Sequence, residues 1–342
     1  MPSVLVIAPN FHYFAQSISR AFEQKYRVHC EVYDTPIHPY NCLNHLLYKI
    51  GNKSALKEQS RQNYKKYILS IFNSLQPDLV FIVNGDNLLP DVVQTMHQSA
   101  KIAIWLFDSV RRFPLALPNL RHADKVFCYE QTDIDYLKKE HHIDAQFLPQ
   151  AADTTLYHPL QVEKDLDIVF AGDLWQSEKR RKLIQAVVKH YSDKKIRVWG
   201  IYKPWYKHPL QWLTRERRDI YTNCNASAEQ LNLDYNRAKI VLNIHHEQQK
   251  DGANPKVFEI CASGAYQICD ANPYIEQLFP KGEIGLYHTE QELFALIDYA
   301  LSHDMSAQAH IANEQINQQH TFTQRIETVL HALQHQGGVT RQ

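Results

Sequence analysis

Residues 251–270, DGANPKVFEICASGAYQICD, predict a turn, a short helix, a glycine turn and a strand in succession. Turn-forming residues precede Pro255, which suits the first position of a helix because its missing N–H loses no partner there. Gly264 is placed to end the helix, since glycine tolerates the left-handed conformation. The free N–H groups of such a helix start can hold a phosphate, and the carboxylate of Glu259, one turn deeper, can accept hydrogen bonds from ribose hydroxyls.

Apolar strands alternate with amphipathic helices on both sides of this segment. The predicted strands span residues 3–8, 26–33, 78–83, 101–107, 125–129, 167–171, 196–200 and 238–243. The predicted helices span residues 11–25, 41–75, 90–99, 132–140, 178–191, 228–237, 290–303 and 307–333. Such alternation is typical of a parallel, doubly wound α/β sheet, in which ligands bind at the carboxyl ends of the strands.

The length of the chain favours two domains, since 342 residues exceed one ordinary core. The strand–helix pattern pauses over residues 147–159, a stretch that contains two prolines, and then restarts. We therefore predict an N-terminal Rossmann-like domain over residues 1–150 and a linker over 151–165. A C-terminal Rossmann-like domain over 166–335 and a frayed tail over 336–342 complete the prediction.

Composition and charge exclude several classes of protein. Hydrophobic residues make up 44% of the chain, which excludes a disordered protein, and the formal net charge is zero, so no overall field attracts nucleic acid. The six cysteines lack CxxC pairing, which favours reduced thiols in the cytoplasm. Residues 1–10 carry no basic n-region, which predicts a strand rather than a signal peptide. No GxGxxG follows this strand, which argues against a nicotinamide or flavin dinucleotide.

The segment NPKVFEICASG (254–264) resembles the donor-site motif of glycosyltransferases with the GT-B fold, and more narrowly that of the CgeB-like glycosyltransferases. Asp251 and Glu259 are also spaced as in the Glu-x7-Glu motif of a large retaining glycosyltransferase family. The sequence departs from these patterns with Asp251 as the first acid, which leaves the stereochemical outcome open, and with Lys256 in place of an arginine. Further segments of the CgeB-like pattern lie earlier in the chain, in the order that the family shows: PDLVFIVNGD (77–86), WLFD (105–108), YEQTD (129–133), LPQAAD (148–153) and DIVFAG (167–172).

This resemblance covers nearly the whole chain and implies a fold and an activity. The fold would be GT-B, with two Rossmann-like doubly wound domains facing a central cleft, the first binding the acceptor and the second the donor. The activity would be metal-independent transfer of a sugar from a nucleotide-diphosphate donor to a glycan or lipid-linked glycan hydroxyl, in surface polysaccharide or glycoconjugate assembly. The alternatives are a nucleotide-sugar epimerase on the same fold and a non-catalytic nucleotide-sugar-binding protein. No cofactor is expected beside the donor.

Basic and aromatic residues at the predicted strand ends are candidates for binding the donor. Arg180 and Arg181 begin a helix after the turn at Gly172. Lys256 and one of these two arginines are predicted to bind the diphosphate, because guanidinium groups match phosphate oxygens. Tyr202 is the candidate for contact with the nucleobase.

The motif itself supplies the remaining donor residues. The resemblance implies that Glu259 binds the ribose, that Asp251 lies nearer the sugar, and that Asn254 and Gly264 belong to the site. The alternatives are structural: Glu259 caps or solvates a helix, and the arginines form a solvated basic helix end.

The acceptor is expected on the first domain, where His12, Asp86 and Asp108 follow predicted strands. Asp108 is the first choice for a general base, because a charge after a buried strand is costly without a purpose or a partner. Asp108 can instead accept N–H groups of its own loop, and His12 can be an acceptor contact or a packed surface histidine. Asp251 completes the predicted catalytic set.

Residues 199–218, WGIYKPWYKHPLQWLTRERR, are unusually aromatic and basic. One interpretation is a peripheral contact with anionic lipid at the inner face of the membrane. The favoured interpretation is a loop and short helix packed over the donor pocket, because Pro204 and Pro209 interrupt any sustained amphipathic helix. Two DxD strings, at 133–135 and 165–167, are interpreted as chance, so no metal site is predicted.

Overall fold

The computed structural model describes residues 1–10, 13–33, 53–202 and 220–334. The chain divides into two compact units. The first unit comprises Met1–Pro149 with Phe322–Gln342, and the second comprises Gln150–Thr321. The predicted linker, 151–165, therefore lies in the second unit. Among the described helices, none has the length and apolar character that crossing a membrane requires.

The first unit is built on a six-stranded parallel sheet. Its strands are β1 (Ser3–Pro9), β2 (Arg27–Tyr33), β3 (Leu79–Val83), β4 (Lys101–Leu106), β5 (Lys125–Cys128) and β6 (Gln146–Phe147). They lie in the order β2-β1-β3-β4-β5-β6. The connecting helices are α1 (Phe14–Glu23), α2 (Lys53–Leu75), α3 (Pro90–His97), α4 (Leu117–Leu120) and α5 (Gln131–His141). All five residues of β3, LVFIV, are buried, as expected of a parallel strand between two layers of helices.

The second unit contains a five-stranded parallel sheet. Its strands are β7 (Leu166–Ala171), β8 (Ile196–Trp199), β9 (Ala238–Asn243), β10 (Gln267–Asp270) and β11 (Gly285–Tyr287). Its helices are α6 (Glu178–His190), α7 (Ala228–Arg237), α8 (Pro255–Ala262), α9 (Pro273–Leu278), α10 (Glu290–Ser302) and α11 (Ser306–Gln319). The strand order is β11-β10-β9-β7-β8. The chain therefore passes from β7 to β8 on one side and then crosses back to β9 on the other side of β7. The carboxyl ends of β7 and β9 therefore flank the crevice in which such sheets bind ligands.

The last helix, α12 (Phe322–Gln334), returns to the first unit. The ring of Phe322 lies 6.3 Å from that of Trp105, and Arg325 Nε donates a hydrogen bond to the carbonyl oxygen of Pro149 at 2.8 Å. Trp105 is fully buried, so the first residue of α12 contributes directly to the core of the first unit.

The predicted α/β class, with two Rossmann-like parallel sheets, is confirmed, but the single helix predicted over 307–333 is wrong. The helix is interrupted at His320 and Thr321, which lie between α11 and α12. Thr321 forms a parallel β-bridge with Ala152, whose N–H donates to the carbonyl oxygen of His320 at 2.9 Å. This tertiary pairing overrides the helical periodicity. The sequence prediction also missed β6, α9 and β11, each too short to show a period.

Candidate functional site

The candidate site lies at the carboxyl edge of the second sheet. Gly172 follows β7, residues 245–247 follow β9, and Asp270 ends β10. Because the strands are parallel neighbours, these residues meet at one edge although nearly 100 positions separate the first from the last.

Two glycines allow the loops after β7 and β8 to touch. Gly200 has φ +119°, and a Cβ at this position would lie 2.1 Å from the carbonyl oxygen of Gly172. Gly172 N donates to the carbonyl oxygen of Trp199 at 3.0 Å. A Cβ on Gly172 would in turn lie 2.9 Å from the ring of Phe170. Only glycine fits this close backbone approach.

Arg180, in the first turn of α6, lies against this glycine turn. Its Nε donates to the carbonyl oxygen of Ile244 at 2.7 Å, beyond the end of β9. Burial lowers the pKa of Arg180, and the negative charges of Asp270, Asp173 and Glu247 offset that effect only in part. Among the described residues, Arg180 forms no ion pair with a carboxylate. The half-buried guanidinium thus has a carbonyl oxygen as a partner and no direct counter-ion in the part of the chain that the structure describes.

Glu247 closes the amino terminus of α6. Its carboxylate accepts a hydrogen bond from the backbone N–H of Lys179 at 2.7 Å and from Ser177 Oγ at 2.8 Å. Ser177 is the N-cap and accepts from Arg180 N at 3.2 Å. Burial works against the charge of Glu247, but these hydrogen bonds outweigh it and lower its pKa to about 2.

A network of polar contacts joins the start of α6 to the carboxyl ends of β9 and β10. Lys179 Nζ lies 2.5 Å from Asp270 Oδ2, and His245 Nδ1 lies 2.7 Å from Asp270 Oδ1. The backbone N–H of Asn254 donates to His245 Nε2 at 3.3 Å, which places the imidazole proton on Nδ1. Burial would raise the pKa of Asp270, but the hydrogen bond from His245 and the charge of Lys179 hold it well below its usual range.

The group His245, Cys269 and Asp270 has the chemistry of a metal centre among the described residues, with its ligand atoms within 4.8 Å of one another. In this structure Asp270 also pairs with the ammonium of Lys179. Burial, followed by the charge of Asp270, raises the pKa of Cys269 well above its ordinary value.

The segment 254–264 forms α8 as the sequence predicts. Asn254 is the N-cap, its side chain accepting from Val257 N at 3.2 Å, and Pro255 takes the first helical position. Gly264 follows the helix with φ +74°. Asn254 also exchanges amide hydrogen bonds with Asn243 at the end of β9, at 2.9 and 3.2 Å. Its side chain therefore ties the motif to the sheet.

Lys256 and Glu259 form an ion pair on α8. Lys256 Nζ lies 2.8 Å from Glu259 Oε2, and Glu259 is only 2% exposed, whereas the side chain of Lys256 is 23% exposed. The negative charge of the buried Glu259 is thus balanced by the ammonium of Lys256, which is partly exposed to solvent. The two residues predicted to contact ribose and diphosphate contact each other here.

The remaining predicted donor residues lie in several environments. Tyr202 is buried, its ring 4.8 Å from that of Tyr221 and its hydroxyl 2.5 Å from Gln185 Nε2. Arg181 is half-buried and donates to a carbonyl oxygen at 3.4 Å. Asp251 is half-buried in the turn before α8. Their roles in donor binding stay predictions.

The predicted acceptor-side residues belong to the first unit. Asp108 accepts a hydrogen bond from Ser109 N at 2.9 Å and pairs with Arg112, so it organises its own loop. This is the structural alternative considered for Asp108, and its catalytic role stays a prediction. His12 lies outside the described residues, as do residues 203–219, which make up most of the aromatic and basic segment.

The sequence prediction missed three residues of the site: His245, Glu247 and Asp270. The neighbouring His246 lies apart from this group, with its Nε2 3.3 Å from the carbonyl oxygen of Gln176. His245 nevertheless belongs to the site. The signal was the end of β9, because a polar side chain after a buried strand lies at the ligand-binding edge.

Residues 179–331 match the model of a family described as glycosyl transferase-like. No curated protein matches the chain in sequence. Similar solved structures include sucrose-phosphate synthase from Thermosynechococcus elongatus, with a TM-score of 0.70 at 12% identity over 98% of this chain and 100% of that one.

Two further structures extend this likeness. A UDP-forming trehalose-phosphate synthase from Burkholderia xenovorans has a TM-score of 0.65 at 11% identity, covering 98% of this chain and 99% of its own. HepE of Anabaena, solved with UDP and glucose, has a TM-score of 0.62 at 12% identity, covering 98% and 100%. At these identities the likeness establishes the fold, which is GT-B with two Rossmann-like domains.

Proposed function

We propose that this protein is a GT-B glycosyltransferase that binds a nucleotide-diphosphate sugar on its second unit and transfers the sugar to a hydroxyl acceptor. The glycosyl transferase-like match over residues 179–331 supports the reaction class. UDP-sugars are the first donors to test, because UDP is named for the trehalose-phosphate synthase and for HepE. As the CgeB-like resemblance implies, we propose a glycan or lipid-linked glycan acceptor in surface polysaccharide or glycoconjugate assembly.

The observation that carries this proposal is the environment of Arg180. A half-buried guanidinium that contacts a carbonyl oxygen but pairs with no carboxylate among the described residues gains from a bound anion. Arg180 lies in the first turn of α6, next to Lys179 in sequence. A diphosphate at this edge would receive hydrogen bonds from the guanidinium of Arg180.

The same groups suit the chemistry of glycosyl transfer. As the bond between sugar and diphosphate breaks, negative charge develops on the leaving phosphate, and positioned cations stabilise that charge. We propose that Arg180 and Lys256 perform this role without a metal ion. Glu259 would then bind the ribose hydroxyls, with Asp251 nearer the sugar.

A thermal-shift panel with UDP, GDP, dTDP and CMP, with and without Mg²⁺, tests the donor site. We expect UDP to raise the melting midpoint of the wild type without Mg²⁺, since a ligand that binds only the folded state stabilises it by mass action. Arg180→Gln should abolish the shift, whereas Arg181→Gln, the matched control in the next position, should keep it. Absence of a shift with all four nucleotides in folded wild-type protein would overturn the proposed function.

A further inference from the structure

A cavity of about 540 Å³ lies in the second unit, lined by residues of β11, α9, α10 and α11 and by Tyr266, directly before β10. Tyr266 and Gly285 both lie at the amino-terminal ends of their strands, whereas Asp270 of the candidate site ends β10. Along an extended backbone, Tyr266 and Asp270 are about 13 Å apart. The cavity is therefore distinct from the candidate site, and its volume suits a small molecule.

The walls of this cavity are mostly apolar and partly aromatic. They include Phe279, Ile284, Leu286, Leu296, Tyr299 and Met305. Rings attract one another edge to face, and the thioether of methionine packs favourably against a ring, so these walls favour an aromatic ligand. Of the described lining residues only Glu276 is charged, and its carboxylate lies 3.3 Å from His288 Nε2. The lining therefore favours a neutral ligand.

Gln308 contributes a hydrogen-bond acceptor to the lining. Its Oε1 is buried and finds no hydrogen-bond partner within the described part of the chain. Gln315 on the same helix is satisfied by comparison, since its Nε2 donates to the carbonyl oxygen of Leu278 at 2.6 Å. A buried amide oxygen without a donor is costly, so a ligand that donates a hydrogen bond to Gln308 would remove that cost.

The hydroxyl of Tyr266 is a second polar group in the lining. Tyr266 is only 5% exposed, and no group among the described residues forms a hydrogen bond with its hydroxyl. A Cβ added at Gly285 would lie 3.1 Å from this hydroxyl oxygen, so the glycine leaves room beside it. Burial, followed by the charge of Tyr299, raises the pKa of Tyr266 to about 12. The hydroxyl therefore keeps its proton at neutral pH and can both donate and accept.

We propose that this cavity is a binding site for a neutral aromatic molecule that carries a hydroxyl group. The ring of the ligand packs against the aromatic and methionine walls, and its hydroxyl donates a hydrogen bond to Gln308 Oε1, with Tyr266 as a second polar group in the wall. An aliphatic chain would fill the same walls but would leave Gln308 Oε1 without a donor. The site goes beyond the proposed function and does not depend on it.

NMR of the full chain with 13C-labelled methionine methyl groups tests the site. The chain has three methionines, of which Met305 lines the cavity, Met96 is buried in the core of the first unit and Met1 is exposed. We expect p-cresol to shift the Met305 signal with a Kd of about 1 mM or lower and to leave the Met96 signal in place. The aliphatic analogue 4-methylcyclohexanol carries the same hydroxyl and should bind about fivefold more weakly, because it lacks the aromatic ring.

Gln308→Leu tests the hydrogen bond. We expect it to raise the Kd of p-cresol about fivefold, the value of one hydrogen bond, and not to raise that of toluene, which has no hydroxyl. Gln291→Leu, at an exposed position of α10, is the matched control and should keep both Kd values. Leu296→Trp should abolish the p-cresol shift by filling the cavity while Gln308 stays in place.

Several outcomes would overturn the proposal. A Met305 signal that does not move with p-cresol at its solubility limit would show that the cavity binds no such ligand. An unchanged Kd of p-cresol in Gln308→Leu, or an equal loss for toluene, would contradict the role of the hydroxyl. A 4-methylcyclohexanol affinity equal to that of p-cresol would contradict the aromatic class of ligand.

Discussion

The carboxylate of Glu247 accepts a hydrogen bond from the backbone N–H of Lys179 at 2.7 Å, across 68 positions of sequence. The contact joins the loop after β9 to the start of α6. A free backbone N–H at a helix start needs an acceptor, and an anion there also gains from the helix dipole. This relationship orients the first turn of α6, which carries Arg180 into the candidate site.

We expect Glu247→Gln to lower the free energy of unfolding by about 1 kcal/mol at pH 7. Glutamine keeps an acceptor oxygen but loses the charge, and the 38% exposure of Glu247 limits the effect through solvent screening. The pKa of Glu247 is lowered to about 2, so its contribution is complete above the unfolded pKa, near pH 4.5, and is lost as the pH falls toward 2. Urea unfolding at pH 7 and pH 3 measures this difference, which should shrink at the lower pH.

Glu178→Gln is the control for this prediction. Glu178 lies in the same helical turn but pairs with Lys182 on the surface, with 62% of its side chain exposed. Because this pair is exposed to solvent, its substitution should cost clearly less stability at pH 7 than Glu247→Gln. A pH-independent loss in Glu247→Gln, or an equal loss in Glu178→Gln, would contradict a charge-specific cap.

The sequence predicted most of the fold because its signals are local. Continuous apolar runs such as LVFIV in β3 and helical periodicity with a Ser N-cap in α7 depend on near neighbours only. The break at Thr321 depends on Ala152, far away in sequence, and no local pattern contains that information. For the same reason, the sequence could not predict that α12 returns to the first unit.

The candidate site could be predicted only in part. The turn at Gly172, the basic start of α6 and the geometry of α8 follow from local chemistry and strand ends. The pairing of Asp270 with Lys179 and His245 requires the order of β7, β9 and β10, which the sequence leaves open.

We expect His245→Ala to lower the free energy of unfolding by about 2 kcal/mol, because it removes a hydrogen bond to a buried charged group. His246→Ala, the neighbouring control, should change it by less than about 0.5 kcal/mol. The depressed pKa of Asp270 stabilises the fold above its unfolded pKa, and this stability is lost as the pH falls through the folded pKa. Without His245 that folded pKa rises, so acid unfolding followed by tryptophan fluorescence should begin at a higher pH. Identical acid midpoints for the two variants would refute the linkage.

Asp86, one of the residues predicted to contact the acceptor, is a half-buried carboxylate. It follows β3 through Asn84 and Gly85, whose φ angles of 60° and 81° are both left-handed. Its Oδ1 accepts from the hydroxyl of Tyr33 at 3.3 Å. Burial raises its pKa, and the hydrogen bond from Tyr33 and the charge of Arg61 do not cancel that effect.

We expect Asp86→Asn to raise the melting midpoint at pH 7, since asparagine keeps an acceptor for Tyr33 and removes a desolvated charge. The raised folded pKa means that the ionised acid destabilises the fold above that pKa and ceases to do so below the unfolded value, near 3.8. The gain should therefore shrink as the pH falls from 7 to 4. Asp108→Asn should instead lower the midpoint at pH 7, because Asp108 loses its pairing with Arg112. Melting curves of both variants at the two pH values test this: changes of the same sign at pH 7 would contradict a net destabilising charge on Asp86.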